Sequence, residues 1–222
     1  MTTAQNTGAP GELDIHLIHE GRHEELWKVL GAQVVSTDGR AGVDFRVWAP
    51  NALEVQVLGE WTGWDGSQHP MSRVGDSGIW SAHVPGVGLG AQYKFRVRGA
   101  DDVWVDRADP MARYAEKPPR SASIVWDSSY VWNDDAWLAA RADKVAVDAP
   151  MSIYEMHLAS WRKHPGRHDS AAELYDWHQI ADALVPYLAD LGFTHVELMP
   201  VMQHPFGGSW GYHVTSYFAP DS

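Results

Sequence analysis

Two hydrophobic patterns divide this sequence, and each predicts a different kind of structure. Between about residues 42 and 127, apolar and polar residues alternate in short runs, of which Val43, Phe45 and Val47 form the first. Later runs cover residues 55–57, 79–84, 93–97 and 103–105, with glycine, proline and aspartate between them. A period of two broken by turn residues is typical of an antiparallel β-sandwich.

The last third of the chain shows the pattern of an α/β fold. Residues 151–158 are almost continuously apolar, as in a strand buried on both faces of a parallel sheet. Asp176 and Gln179 form a capping box for a helix with one apolar face, and Gly192 stands where that helix should end. Residues 194–201 then form a second strand, so the order predicts one βαβ unit.

These patterns predict four parts along the chain. They are a leader (1–35), the sandwich (36–128), a connector (129–150) and the α/β segment (151–222). A short helix or turn is predicted around residues 24–30, and a weak helical stretch at residues 134–142. The α/β segment is far shorter than the roughly 250 residues of a closed (β/α)₈ barrel, so we expect a truncated domain.

Composition narrows the functional classes. With 45% hydrophobic and 21% charged residues, the chain is globular, and the absence of cysteine excludes disulfides and thiolate metal sites. A net charge of −12 argues against nucleic acid and anionic lipid as partners. Neither a membrane span nor a signal peptide is evident in the sequence. We therefore expect a soluble, cytoplasmic protein with no nucleic-acid or membrane partner.

Tryptophan is unusually abundant, with 12 residues in 222. An indole ring has a flat apolar face and a polar edge, which suits sugar rings as well as protein cores. Trp61, Trp64 and Trp80 are therefore candidates for sugar stacking in the predicted sandwich. Core packing is the favoured interpretation for each, because alternation along strands would bury some of them.

Several motifs resemble those of carbohydrate-active enzymes. Similarity to a carbohydrate-binding module of family 48 is carried by residues 45–71, 78–86, 93–97 and 109–110. Similarity to the start of the catalytic barrel of 1,4-α-glucan branching enzymes is carried by IYEMHLASWR (153–162), LGFTHVELMPV (191–201) and HPFGGSWGYHVTSYFAP (204–220). These enzymes belong to the α-amylase superfamily, glycoside hydrolase family 13. The HPFGGSWGY stretch is the most specific of these motifs.

The resemblance implies an immunoglobulin-like β-sandwich followed by the first βαβ unit of a truncated (β/α)₈ TIM barrel. It implies the N-terminal part of an enzyme that cleaves α-1,4 links and transfers the glucan chain to a 6-hydroxyl, making α-1,6 branches in glycogen biosynthesis. The partner is α-glucan, no cofactor is implied, and the full-length protein is expected to be a monomer. The catalytic aspartates and glutamate follow later barrel strands, beyond residue 222, so this chain alone should be inactive.

Tyr212 is the one site residue that the resemblance implies, as the tyrosine that stacks on the sugar at the cleavage position. Trp210 is interpreted as a packing residue of the same loop. Three positions depart from the family pattern. Gln203 replaces a usual glutamate, Gly207 a usual aspartate and His213 a frequent glutamine.

Other polar constellations give weaker signals. The histidine pairs at a spacing of four are His19 with His23 and His164 with His168. Neither pair has a third ligand nearby, so we predict no metal site. Glu155 and Glu197 lie on predicted strands, where we expect them to point inward and to be hydrogen-bonded.

Two alternative functions remain open from the sequence. The chain could be a stand-alone glucan-binding module, or part of a related debranching enzyme or maltooligosyl trehalose trehalohydrolase. The apolar strands of the α/β segment discriminate between a module and an enzyme part, because they would stay exposed in a short protein. We expect the 222-residue chain to aggregate or to bind a hydrophobic dye.

Overall fold

Two antiparallel sheets dominate this computed structural model, which describes residues 10–36, 39, 41–164 and 174–222. The helices are α1 (Glu12–His19), α2 (Asp135–Lys144), α3 (Leu158–Trp161) and α4 (Trp177–Leu191). The strands of the two sheets are β1 (Gly31–Val35), β2 (Gly42–Trp48), β3 (Glu54–Gly59), β4 (Ser72–Arg73), β5 (Ile79–Pro85), β6 (Gln92–Arg98), β7 (Trp104–Arg107) and β8 (Ser123–Ile124). The remaining strands are β9 (Ile153–Met156), β10 (His195–Leu198), β11 (Met202–Gln203) and β12 (Ser216–Pro220).

The sandwich predicted from period-two alternation is confirmed. One sheet has the order β1-β2-β5-β4, and the other has the order β3-β6-β7 with β8 also paired to β6. All of these pairs are antiparallel. The edge strand β1 comes from the part of the chain that the sequence assigned to a leader, and it pairs with β2 along its whole length.

The core lies between the two sheets, where apolar residues of both inner faces meet. Phe45 is fully buried and its ring lies 4.9 Å from that of Tyr93 and 5.7 Å from that of Trp61, centroid to centroid. A second, smaller cluster packs the segment before β1 against the sandwich. Its buried members are Val29, Leu30, Ile79 and Met111.

The segment before β1 contains the short helix or turn predicted around residues 24–30, whereas the helix α1 was not predicted. The predicted helical stretch at residues 24–30 is a single 3-10 turn, Leu26–Lys28, and the helix α1 lies upstream of it. The backbone is anchored there because Leu26 and its neighbours pack on the second cluster. Tertiary packing thus decides the local conformation of this segment.

The chain divides into two compact units. One comprises Met1–Ser128, Met202–Pro205 and His213–Ser222, and the other Ser129–Val201 and Phe206–Tyr212. In the second unit β9 and β10 pair in parallel and in register, from Ile153 with His195 to Met156 with Leu198. Helix α4 connects them and buries Ile180 and Leu184 in a cluster with Met156. The predicted strand–helix–strand unit is confirmed.

Both ends of α4 follow the predicted capping residues. The Asp176 carboxylate accepts a hydrogen bond from the Gln179 amide at 2.8 Å, and the Gln179 side chain accepts one from the Asp176 amide at 3.0 Å. Gly192 ends the helix in the left-handed conformation with φ of 75°. None of the helices in the described ranges has the length and apolarity needed to cross a membrane.

Glu155 and Glu197 do not fulfil the prediction made for them. They are register partners on β9 and β10, both are exposed, and neither has a hydrogen-bond or ion-pair partner among the described residues. The sheet has only these two strands in the described part of the chain, so nothing encloses their carboxylates. The prediction that both are internally hydrogen-bonded is therefore wrong for this chain.

Candidate functional site

The outer face of the sheet β3-β6-β7 carries a depression of about 540 Å³. Alternation along β6 turns Tyr93 and Phe95 into the core, and it leaves Arg96 on the opposite face. Pairing with β7 brings Asp106 opposite Arg96. The side chains of Arg96 and Asp106 line the depression together with Gln56, and Trp104 lies on its rim.

The charged groups of this depression are held in place by hydrogen bonds. Arg96 forms a bidentate pair with Asp106, with Nε to Oδ1 at 2.7 Å and Nη2 to Oδ2 at 3.1 Å. The hydrogen bond from Arg96 lowers the pKa of Asp106 below its usual value. Asp65 accepts hydrogen bonds from the Ser67 amide and hydroxyl, at 2.9 and 3.0 Å, and these lower the pKa of Asp65. Both carboxylates are therefore ionised acceptors at neutral pH.

Exposed indole rings accompany these polar groups. Trp104 is 39% exposed and pairs with Arg98 across the strands. Trp64 is 37% exposed and directly precedes Asp65 in the loop after β3. An aromatic face beside fixed donors and acceptors suits a ligand with apolar ring faces and many hydroxyls. Trp104 is not among the tryptophans predicted from the sequence, although its alternation with Val103 and Val105 already indicates an outward side chain.

The other two tryptophan candidates of the sandwich are packing residues. Trp80 is buried, and its indole nitrogen donates to the Ala49 carbonyl at 3.0 Å. Trp61 packs against the core with its ring stacked on Phe45. Core packing is thus confirmed for these two residues, and Trp64 alone of the three predicted candidates lies at the surface.

A second candidate site is the loop after β10, which carries the tryptophan–glycine–tyrosine motif. Gly211 has φ of 84°, and a Cβ atom there would lie 2.3 Å from the Pro200 carbonyl oxygen, so only glycine fits. The Trp210 ring stacks on His157 at 5.6 Å with an interplanar angle of 27°. His157 directly follows β9, so this loop lies at the carboxyl ends of the two parallel strands, where parallel α/β folds build their binding sites.

Tyr212 is 64% exposed, and it is not a member of the hydrophobic cluster formed by the described residues of its unit. Its amide donates to the Ser209 carbonyl at 3.1 Å, which ties the backbone to the preceding 3-10 turn. Trp210 is also largely exposed, although one face of its ring contacts His157. The loop thus presents two aromatic rings from a constrained backbone.

The three positions that depart from the family pattern have different surroundings. Gln203 is buried. Its side-chain Nε2 donates to Asp221 Oδ1 at 3.1 Å, and its side-chain Oε1 accepts from the Ser222 hydroxyl at 2.7 Å. Gly207 begins a 3-10 turn, and His213 is exposed. Gln203 therefore acts within its own hairpin of β11 and β12.

The histidines with metal-like spacing bind other protein groups. His19 Nε2 lies 3.2 Å from the Ser77 carbonyl oxygen, and His23 Nε2 lies 3.1 Å from Asp14 Oδ1. His164 Nε2 lies 3.1 Å from Gln179 Oε1, and His168 falls outside the described residues.

Known proteins of carbohydrate metabolism are similar to this chain in sequence. Residues 29–112 match the family described as carbohydrate-binding module 48 (isoamylase N-terminal domain). The chain is 53% identical over 210 residues to 1,4-alpha-glucan branching enzyme GlgB 1 of Streptomyces coelicolor, covering 95% of this chain and 26% of that protein. It is 56% identical over 213 residues to the 1,4-alpha-glucan branching enzyme GlgB of Corynebacterium jeikeium, covering 96% of this chain and 28% of that protein.

A solved structure described as an alpha amylase from Salmonella typhimurium has a related fold. It matches with a TM-score of 0.62 and 30% identity, over 87% of this chain and 28% of that one. The chain spans about a quarter of the length of the curated relatives it matches. Over nearly its whole length the chain is thus similar to about a quarter of each of these 1,4-alpha-glucan branching enzymes, and its residues 29–112 match carbohydrate-binding module 48.

Proposed function

We propose that this chain supplies the glucan-binding module and the first part of the catalytic domain of a 1,4-α-glucan branching enzyme. The observation that carries the proposal is the exposed Trp104 beside the fixed Arg96–Asp106 pair, within a region that matches a carbohydrate-binding module. The sugar would stack on the indole face, while the guanidinium donates to hydroxyl oxygens and the carboxylates accept from hydroxyl groups.

The proposed reaction of the longer protein is a retaining transfer. An α-1,4 link is cleaved through a glycosyl-enzyme intermediate, and a glucan 6-hydroxyl then takes the chain in place of water. The carboxylates for this chemistry would come from parts of the longer protein outside these 222 residues. The chain alone is therefore proposed to bind glucan without cleaving it.

The fold of the second unit supports a barrel as its larger context. Strands β9 and β10 are parallel and in register, and α4 covers one side of them, as in the first βαβ unit of a (β/α)₈ barrel. The predicted divisions at residues 128 and 150 remain part of the proposal, whereas the pairing of β1 with β2 supports a sandwich that begins before residue 36. The cytoplasmic location and the monomeric state of the full-length protein stay predictions.

Within this proposal Tyr212 stacks on the sugar at the cleavage position. Its exposure and its place after β10 support that role. In the longer enzyme, Tyr212→Ala should lower kcat for branching of amylose by at least tenfold. Tyr212→Phe should retain part of this kcat, because a phenyl ring can still stack on the sugar. Branching is measured by the decrease of the iodine complex of amylose. An unchanged rate in the Tyr212→Ala variant would refute the role.

The glucan-binding part is testable on this chain itself. The monomeric fraction from size exclusion is run in native gels with and without glycogen, and its retardation gives an affinity. Trp104→Ala should weaken binding about tenfold, because an aromatic contact is worth up to about 1.5 kcal/mol. Trp132→Ala, which removes an exposed indole from the connector, is the matched control and should bind as before. A wild-type chain that glycogen does not retard would refute the proposal.

A further inference from the structure

A pair of exposed aromatic residues lies on the sandwich, apart from the depression beside Trp104. The rings of Tyr114 and Trp126 contact each other, with centroids 5.4 Å apart and an interplanar angle of 56°. Both are exposed, Tyr114 by 37% and Trp126 by 46%. Neither residue lines the depression.

The two aromatic surfaces lie toward opposite ends of β6. Trp104 pairs with Arg98 at the last residue of that strand, whereas β8 pairs through Ile124 with Gln92 at the first. Six residues of extended backbone between these positions span about 20 Å. Trp126 follows β8 by two residues.

The backbone holds the aromatic pair in place. The Ile124 amide donates to the Tyr114 carbonyl at 2.9 Å, and Ala115 forms an isolated bridge with Ser123. These backbone contacts bring together Tyr114 and Trp126, which are twelve positions apart in sequence. The orientation of the two rings is thus set by ordered backbone on both sides.

Polar groups surround the aromatic pair. Arg113 Nη2 donates to the Trp27 carbonyl at 2.9 Å and Nη1 to Asp127 Oδ1 at 3.2 Å. A guanidinium has five N–H donors, so donors remain for a ligand hydroxyl. Gln33 donates from Nε2 to the Trp27 and Leu30 carbonyls at 2.8 and 2.7 Å, which leaves its Oε1 as an acceptor.

These polar groups lie close to the indole. Gln33, Arg113 and Trp126 line one small cavity of about 10 Å³, which has room for about one water molecule. Fixed donors and an acceptor therefore adjoin the Trp126 indole, which in turn contacts the Tyr114 ring. The area of two side chains is far below the roughly 1,000 Å² that a stable protein–protein interface needs, whereas it matches one or two sugar rings.

We propose that Tyr114 and Trp126, with Arg113 and Gln33 beside them, form a second α-glucan-binding site on the sandwich, with both aromatic residues beyond the end of the matched residues 29–112. This inference rests on the proposed function, because it takes the ligand of the module to be a glucan. The pyranose C–H faces stack on the two rings, and the hydroxyl edges bind the guanidinium and the amide oxygen. Two sites on one module hold a long branched glucan more tightly than a short one, because the second contact is intramolecular.

The test counts binding sites by calorimetric titration of the monomeric 222-residue chain with maltoheptaose. The wild-type chain should show two sites. The double substitution Tyr114→Ala/Trp126→Ala and the single substitution Trp104→Ala should each leave one. Each should also weaken binding to glycogen about tenfold or more, since avidity is lost with either site. Trp48→Ala, which removes an exposed indole outside both surfaces, is the matched control and should keep both sites.

The outcomes separate the inference from the proposed function. One wild-type site, abolished by Trp104→Ala and unaffected by the double substitution, overturns the second site and leaves the proposed function standing. An equal loss with Trp48→Ala also overturns it, because the binding is then unspecific. A wild-type chain that binds no maltoheptaose refutes both.

A measurement on the wild-type chain guards against a double variant that fails to fold. The indole N–H signal of Trp126, assigned with Trp126→Phe, should shift during titration with maltoheptaose. Its shift should persist in Trp104→Ala. An unchanged signal at saturating ligand overturns the second site.

Discussion

The sandwich and the α/β unit contain similar kinds of residues but bury them to very different extents. Among the residues that the structure describes, twelve buried residues form the main core cluster of the sandwich, whereas the cluster of the α/β unit has three, Met156, Ile180 and Leu184. Val196 and Leu198 of β10 remain exposed. The difference arises because the two sheets of the sandwich cover each other, while in the described part of the chain the parallel pair packs against α3 and α4 and against no second sheet.

This contrast means that the sandwich encloses its own core, whereas the α/β unit leaves part of its apolar surface uncovered. The sandwich contains both halves of its own core, as an independent module requires. The α/β unit leaves apolar strand faces at its surface. The aggregation or dye binding predicted for the 222-residue chain therefore stays a prediction about the α/β unit.

The largest expected effect tests where the sandwich begins. A chain of residues 36–128 lacks β1 and the buried Val29, Leu30 and Val35, which residues 10–128 retain. At about 1.5–3 kcal/mol for each buried aliphatic side chain, the shorter chain should lose roughly 5 kcal/mol of unfolding free energy. Urea denaturation of both chains measures the difference. Equal stability would show that the segment before residue 36 is dispensable.

The core of the sandwich should respond next most strongly. Phe45→Ala removes a fully buried ring that contacts Tyr93 and Trp61, and should cost about 4 kcal/mol. Phe218→Ala removes the same side chain from an exposed position on β12, and should cost less than about 0.5 kcal/mol. Tryptophan fluorescence during denaturation follows both variants. Comparable losses would mean that the sandwich core is not what stabilises this unit.

A pH-dependent effect of intermediate size is expected at Asp109. Burial is the main cause that raises the pKa of Asp109 to about 6, although Tyr93 donates to its carboxylate at 2.5 Å. The unfolded value is about 3.9, so the folded chain binds this proton more tightly. The resulting stability is fully present below about pH 4 and is lost as the pH rises through about 6.

The matched variant for this effect is Asp109→Asn. Between pH 4 and 7 the unfolding free energy of the wild-type chain should fall by about 2 kcal/mol relative to that of the variant. Thermal or urea denaturation across this range gives the difference. A constant difference would contradict a raised pKa in the folded chain.

The smallest expected effect lies in the α/β unit. Asp176→Ala removes the N-cap of α4 and should cost about 1 kcal/mol in the local stability of that helix. Asp182→Ala, at an exposed position within the same helix, should have little effect. Amide hydrogen exchange of the first turn of α4 measures both. If Asp182→Ala accelerates exchange as much as Asp176→Ala, the capping interaction is not the cause.

Local sequence determined the elements whose signals come from neighbouring residues. Alternation predicted β2, β3, β5 and β6, because side chains of a strand point in turn to its two faces. Asp176 and Gly192 determined both ends of α4, because capping uses groups within one helical turn. The motifs around residues 45–71 and 204–220 also sufficed to recognise the similarity to a carbohydrate-binding module of family 48 and to branching enzymes.

Tertiary structure decided which of several similar residues are buried or brought together. Trp61 packs in the core and Trp64 is exposed, although only three positions separate them. Tyr114 meets Trp126 because the backbone pairs Ala115 with Ser123. The exposure of a side chain depends on the segments that pack over it from elsewhere in the chain, and local sequence patterns do not contain that information.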